Sequence, residues 1–394
     1  MNPICLYNGT VLTGIAAMEN CAVLIENGLV SDVFSHRRFE QKHFPPGTQI
    51  IDVGEAFIAP GFIDTHIHGF GGYGTEDGTA ASVLEMSRLL AQYGVTAFNP
   101  TLYPAGGEML LRNVRAAAAA MGKETGARIM GLHLEGPFIS PEKLGVQRPE
   151  TVRPVDIPFM EQLWEAAGGR IVNMTVAPEL KGMRELALYC IKKGIILQAG
   201  HTDAKYENMV EGMQAGILHS THLFNAMSRL DQRNPNAAGA ILIHPEMSCE
   251  IIADGFHVHP DLFKLLLRDK PVDKIVLITD GLKPTEQTAG TLIANGEEMV
   301  FHDGVFHRKA DDVIAGSALT MIRGVQNLAG FGFSLEDAVK TAGFNPAQVM
   351  RYRSKGAIIP GYDADLTVFA RNPETGDLRV LLVIVAGSIK KNLY

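Results

Sequence analysis

The sequence predicts an α/β fold: a (β/α)8 TIM-type barrel with a small β-sandwich domain formed by both chain ends. Three observations predict it. The middle of the chain alternates eight short apolar runs with helical segments, while both ends read as strand and turn. Side chains able to bind metal recur at the downstream ends of the central runs, and the carboxyl end of a buried strand is where a barrel opens to ligands.

Residues 1–58 alternate apolar and polar positions, and Asn27-Gly28 falls between Ala22-Val-Leu-Ile25 and Leu29-Val30. Asn-Gly between two apolar runs is a strong hairpin signal. Candidate barrel strands follow at 62–66, 95–101, 128–134, 171–177, 195–200, 218–222, 249–254 and 275–279. Helical periodicity lies between them at Ala80–Tyr93, Glu108–Met121, Asp156–Ala167, Lys181–Lys193 and Tyr206–Ala215. An open doubly wound sheet would want a glycine-rich phosphate turn opening a helix after its first strand. Gly69-Phe-Gly-Gly-Tyr-Gly74 is glycine-rich but opens no clear helix, so the barrel is preferred. From Gly361 the strand pattern returns in Ala364–Phe369, Val380–Ala386 and, after Gly387, Ser388-Ile389. Neither end is large enough to fold alone. The expected division is therefore 1–58 with 357–394 as the sandwich and 59–356 as the barrel.

The bulk numbers set the class. With 394 residues, 46% hydrophobic and 20% charged, the chain can bury a large core in the ordinary globular manner. A net charge of −8 and no basic stripe give nucleic acid no electrostatic support. Cys5, Cys21, Cys190 and Cys249 form no C-x-x-C pair, as expected of reduced thiols. The first basic residue is Arg37, so no positive leader region is recognised, and no apolar run is long enough to cross a bilayer. The expectation is a cytoplasmic chain with neither nucleic acid nor membrane as partner.

His66 and His68 are two apart on an extended segment and so point the same way, which lets two imidazoles share one metal. By itself a His-x-His pair is also common on surfaces and in cores. Glu135 ends the third run; a buried carboxylate there needs a cation or a hydrogen-bond network, or caps a loop. His133 reads as a satisfied core histidine. His201 and His222 end the fifth and sixth runs, and imidazole suits zinc or iron. His219 faces away from His222 by strand alternation and reads as structural. Asp280 ends the eighth run, where it can bind metal and act as a base toward a metal-bound water, or simply form a turn before Gly281.

Pro60-Gly-Phe-Ile-Asp-x-His-x-His68, Pro360-Gly-Tyr-Asp-Ala-Asp-Leu366 and the residues between resemble the amidohydrolase superfamily. More narrowly, Leu132–Phe138, Gly200–Asp203, Thr221–Met227, Ile252–His257, Thr279-Asp280 and Ala315–Ser317 are similar to its N-acetylglucosamine-6-phosphate deacetylase branch. That resemblance implies a divalent metal, zinc or iron, with one or two ions per subunit. It implies that Glu135, His201 and His222 hold the principal ion, that His66, His68 and Asp280 make a second position, and that Asp280 is the catalytic base and then acid. It assigns Asn225, the Ala226 backbone and His257 to a sugar phosphate. Arg233 would reach the neighbouring site of a homodimer. The fourth run ends Val176-Ala-Pro-Glu179 without the lysine that other binuclear members use, so bridging falls to Glu135. Gln147 stands where some relatives have a histidine that contacts the substrate carbonyl.

The implied reaction is hydrolysis of N-acetyl-D-glucosamine 6-phosphate to D-glucosamine 6-phosphate and acetate. Three rivals remain at this point: the galactosamine epimer, another amidohydrolase such as a cyclic amidase or nucleobase deaminase, and a non-catalytic barrel that senses metal or sugar phosphate.

Overall fold

A computed structural model describes residues 2–287 and 290–394. Eight parallel strands form the central barrel, in chain order Phe62–Ile67, Val95–Leu102, Leu132–Glu135, Ile171–Val176, Ile196–Ala199, His219–Ser220, Ser248–Ile252 and Ile275–Ile278. The first and last close the ring through an Ile67–Gly281 bridge and an Asp280 N–H bond to the His66 carbonyl at 2.9 Å. Fully buried Asp64 reinforces this seam by accepting from Thr279 Oγ1 at 2.6 Å; burial pushes its carboxyl up to about 7.

Helices cover the outside of the barrel, so every residue of Phe62–Ile67 and Val95–Leu102 is buried. Local signals set the helix starts. Thr79 accepts from the Ser82 N–H and Asp156 from the Phe159 N–H, satisfying donors that a first turn leaves free. The expected helix Ala80–Tyr93 is α-helical over Ala80–Leu90 and tightens to a 3₁₀ turn at Ala91–Tyr93.

The expected strand 128–134 is split into Arg128–Ile129 and Leu132–Glu135. The break falls at Gly131, where a Cβ would meet Val172 Cγ1 at 2.2 Å. Glycine leaves the space that the Val172 side chain fills.

Both chain ends join one eight-stranded sheet. Phe57–Pro60 pairs with Ile4–Leu12 on one side and with Leu366–Arg371 on the other. Ile4, Leu6, Val23, Ile58, Leu366, Val368 and Ile384 share an apolar cluster, so strands from the two ends have a common core. Asn27 and Gly28 both take positive φ, as a tight hairpin turn requires, and Glu26 pairs with Leu29.

One element has no counterpart in the sequence reading. Ile293–Ala294, Glu297–His302 and Val305–Arg308 make a three-stranded antiparallel sheet after the eighth barrel strand. Its Ala294, Met299 and Phe306 pack with Tyr103, Leu282 and Ala315 beside the barrel mouth. Among the described residues no helix is long and apolar enough to cross a membrane, and the four cysteines are free and buried.

Candidate metal centre

The site is built where strands stop. His201, His222 and Asp280 each lie just past the end of a barrel strand with φ of 45°, 20° and 49°. This left-handed backbone is uncommon for side chains other than glycine, and such strain concentrates at functional sites. It turns three ligand-type side chains out of the strand direction and towards the barrel axis.

Glu135 is the hub. Its Oε1 lies 3.1 Å from His201 Nε2, 3.2 Å from His222 Nε2 and 3.4 Å from His66 Nε2. Its Oε2 lies 3.2 Å from His68 Nε2 and accepts from Gln147 Nε2 at 2.6 Å. Asp280 Oδ1 is 3.4 Å from both His66 Nε2 and His68 Nε2. All six residues predicted from sequence as ligands are thus brought together, in two groups of three with ligand atoms inside 4.8 Å: His66, His68, Asp280 and Glu135, His201, His222.

The donor set fits a divalent ion. Three of the four imidazoles have the far nitrogen occupied: His68 Nδ1 by the Thr101 carbonyl at 3.1 Å, His201 Nδ1 by the Lys143 carbonyl at 3.0 Å, and His66 Nδ1 by Glu250 at 3.0 Å. Those contacts orient Nε2 inward, as outer partners of metal-bound histidines do. His66 Nε2 is buried and has no hydrogen-bond partner. Burial alone would raise the Glu135 carboxyl, but the imidazoles around it hold it well below the usual carboxylate range. A carboxylate hub encircled by imidazole nitrogens is a donor set suited to a divalent cation.

The remaining predicted residues divide. Gln147, Asn225, Ala226 and His257 line a cavity of about 360 Å³ whose floor includes His68, Glu135, His201, His222 and Asp280. The Gln147 amide nitrogen is engaged by Glu135 and its Oε1 is buried without a partner. His257 pairs with Asp254 at 2.6 Å; burial opposes its charge, but this carboxylate raises its pKa above the usual 6.5. Arg233 is exposed on the loop before helix Asn236–Ile243 and does not line this cavity. His133 is a satisfied core residue, bonded to Thr101 and Thr175, and burial keeps its pKa well below normal. His219 bonds Ser248 Oγ at 2.8 Å.

Sequence reasoning missed Tyr103, Glu250 and the Val313–Ile314 wall. Tyr103 stacks on His68 with centroids 3.7 Å apart and rings 4° from parallel, and it lines the cavity. Its position just past the second strand, Val95–Leu102, is the same strand-end signal that marked the ligands.

Comparison with known proteins matches the Amidohydrolase family over residues 57–390. An N-acetylglucosamine-6-phosphate deacetylase of Bacillus subtilis (strain 168) is 33% identical over 385 residues, covering 96% of this chain and 95% of that protein. An N-acetylgalactosamine-6-phosphate deacetylase of Shewanella sp. (strain ANA-3) is 30% identical, with 96% and 94% covered. A solved N-acetyl-D-glucosamine-6-phosphate deacetylase mutant of Mycobacterium smegmatis, in complex with N-acetyl-D-glucosamine-6-phosphate, superimposes with a TM-score of 0.91 at 29% identity, covering all of both chains.

Proposed function

Because this chain belongs to the amidohydrolase family, we propose that it hydrolyses the acetamide of N-acetyl-D-glucosamine 6-phosphate, giving D-glucosamine 6-phosphate and acetate. The observation that carries this reading is one cavity with the Glu135-centred ligand set on its floor and Asn225, Ala226 and His257 on its wall. The first group can serve an amide; the second offers an amide side chain, a backbone N–H and an imidazole to a phosphate.

Glu135, His201 and His222 would hold one divalent ion, zinc or iron, and His66, His68 and Asp280 a second, with Glu135 shared. Such an ion, when bound, supplies water of lowered pKa and a positive point facing the carbonyl oxygen. Asp280, on the cavity floor, accepts the proton of the attacking water at its carboxylate. It then delivers that proton to the departing nitrogen, so the amine leaves neutral. Gln147 holds Glu135 through one N–H and has a second to offer the acetyl oxygen. Burial disfavours a charge on His257, but Asp254 outweighs it and raises its pKa, which favours the protonated ring that would meet the phosphate. Arg233 of a second copy would complete the phosphate pocket in a homodimer. The buried free cysteines suit a reducing cytoplasm.

The galactosamine epimer is the second reading, favoured by the 30% identity to a deacetylase of that sugar. The fourth barrel strand runs into Ala177-Pro178-Glu179 with no lysine, which disfavours the cyclic amidases. The test is kcat/KM for acetate release from N-acetylglucosamine 6-phosphate, its galactosamine epimer and unphosphorylated N-acetylglucosamine. The glucosamine phosphate is expected to be fastest and the unphosphorylated sugar slowest. A faster epimer would transfer the function to it. Indifference to the phosphate would remove the sugar-phosphate reading.

A further inference from the structure

Beneath the metal centre a polar chain crosses the barrel core, and every link donates in the same direction. The Tyr352 hydroxyl donates to Asn99 Oδ1 at 2.6 Å, and Asn99 Nδ2 to Asn173 Oδ1 at 3.2 Å. Asn173 Nδ2 donates to Gln198 Oε1 at 3.1 Å, and Gln198 Nε2 to Glu250 Oε1 at 3.2 Å. Glu250, fully buried on the seventh barrel strand, ends the chain as an acceptor. Its other oxygen faces His66 Nδ1 at 3.0 Å and the His222 backbone N–H at 3.4 Å. A carboxylate oxygen only accepts, so His66 carries a hydrogen on Nδ1 and presents Nε2, the atom that would bind an ion, toward Glu135 and Asp280, each 3.4 Å away.

His66 differs from the other ligands in what holds it. His68 and His201 are oriented by the carbonyls of Thr101 and Lys143, backbone groups that no substitution removes. The Nδ1 of His66 is held instead by a side chain, that of Glu250, 184 positions away in sequence. We infer that Glu250 is the positioning residue of the second metal position: by fixing the tautomer and rotation of His66 it governs occupancy of the His66–His68–Asp280 group, while it touches no ligating side chain of the Glu135–His201–His222 group and meets it through a long contact to the His222 backbone N–H. This deepens the metal-centre reading above and is independent of the substrate assigned there.

The test is a cobalt(II) titration of the metal-free full chain, native and Glu250→Gln, followed by visible absorbance and equilibrium dialysis. Glutamine preserves volume, and with Gln198 Nε2 still donating to its Oε1 the amide turns its NH2 toward His66 Nδ1, which then finds no acceptor there. The native chain should take up two ions. In the variant the affinity of one should fall by roughly 10–100-fold, the usual effect of losing an outer partner of a metal-bound histidine, while the other is unchanged. Selective loss is the diagnostic readout, because general damage to the core weakens both positions together. Glu250→Asp, which withdraws the carboxylate by one methylene, carries the same test if the glutamine variant does not fold. Two unchanged affinities, equal weakening of both, or a native chain that takes up only one ion would each overturn the inference. Failure of the deacetylase reading would look different: two ions bound and no acetate released.

Discussion

Glu135 joins two groups of nitrogen ligands that would otherwise have no common anion, and Asp280 faces both the second group and the cavity without contacting His201 or His222. Asp280→Asn should therefore lower kcat by ~10²–10⁴, the range for a lost acid–base group. Near-native turnover measured by acetate release would take Asp280 out of that role. His257 gives a pH signature. Its pKa is raised by Asp254, so its positive charge is present below the raised value and is lost as pH climbs through it. The kcat/KM for a phosphorylated substrate should fall across that interval while that for the unphosphorylated sugar does not. Asp254→Asn removes the cause and should move the fall to lower pH; a pH profile that ignores the substitution would contradict this. The ligands could be read in the sequence because each sits at the end of an apolar run, a local pattern. Glu250 could not, because its role comes from His66 across the barrel, and nothing within its own strand distinguishes it from a misplaced charge.

At the scale of elements, periodicity located the barrel strands well and their ends less well. The sixth strand was expected over 218–222 but is only His219–Ser220, because the chain must leave extended geometry early to give His222 its positive φ. Function therefore shortens the strand that hydropathy extends. The three-stranded sheet at Ile293–Arg308 escaped notice although Asn295-Gly296 and Asp303-Gly304 are hairpin dipeptides with positive φ at all four positions. Its strands are short and partly exposed, with little apolar patterning to announce them. Helix starts were more legible, since a cap acts within three residues. Asp156→Ala should cost about 0.5–2 kcal/mol in chemical denaturation and leave kcat unchanged. A change in turnover at native stability would show that the helix Ile157–Ala166 does more than support the barrel wall.

For the whole molecule, both chain ends meeting in one sheet and the ring closing at Ile67–Gly281 were legible as a fold class, though the pairings themselves were not. Assembly is a further step. Arg233 is exposed and outside the cavity of its own chain, so the proposed dimer makes a prediction that a monomer cannot meet. Arg233→Ala and Asp280→Asn chains, each impaired alone, should regain part of their activity after mixing and subunit exchange, since one site of the hybrid draws an intact Asp280 from one chain and an intact Arg233 from the other. Strictly additive activity would leave Arg233 without a role in a neighbouring site. The most direct test of the central claim, metal-centred hydrolysis of an acetamido-sugar phosphate, is acetate release from N-acetylglucosamine 6-phosphate by one preparation as purified, after chelation and after return of zinc or iron. The account predicts rapid release, its loss on chelation and its recovery with metal. Absence of release from the metal-loaded protein, or release indifferent to chelation, would contradict it.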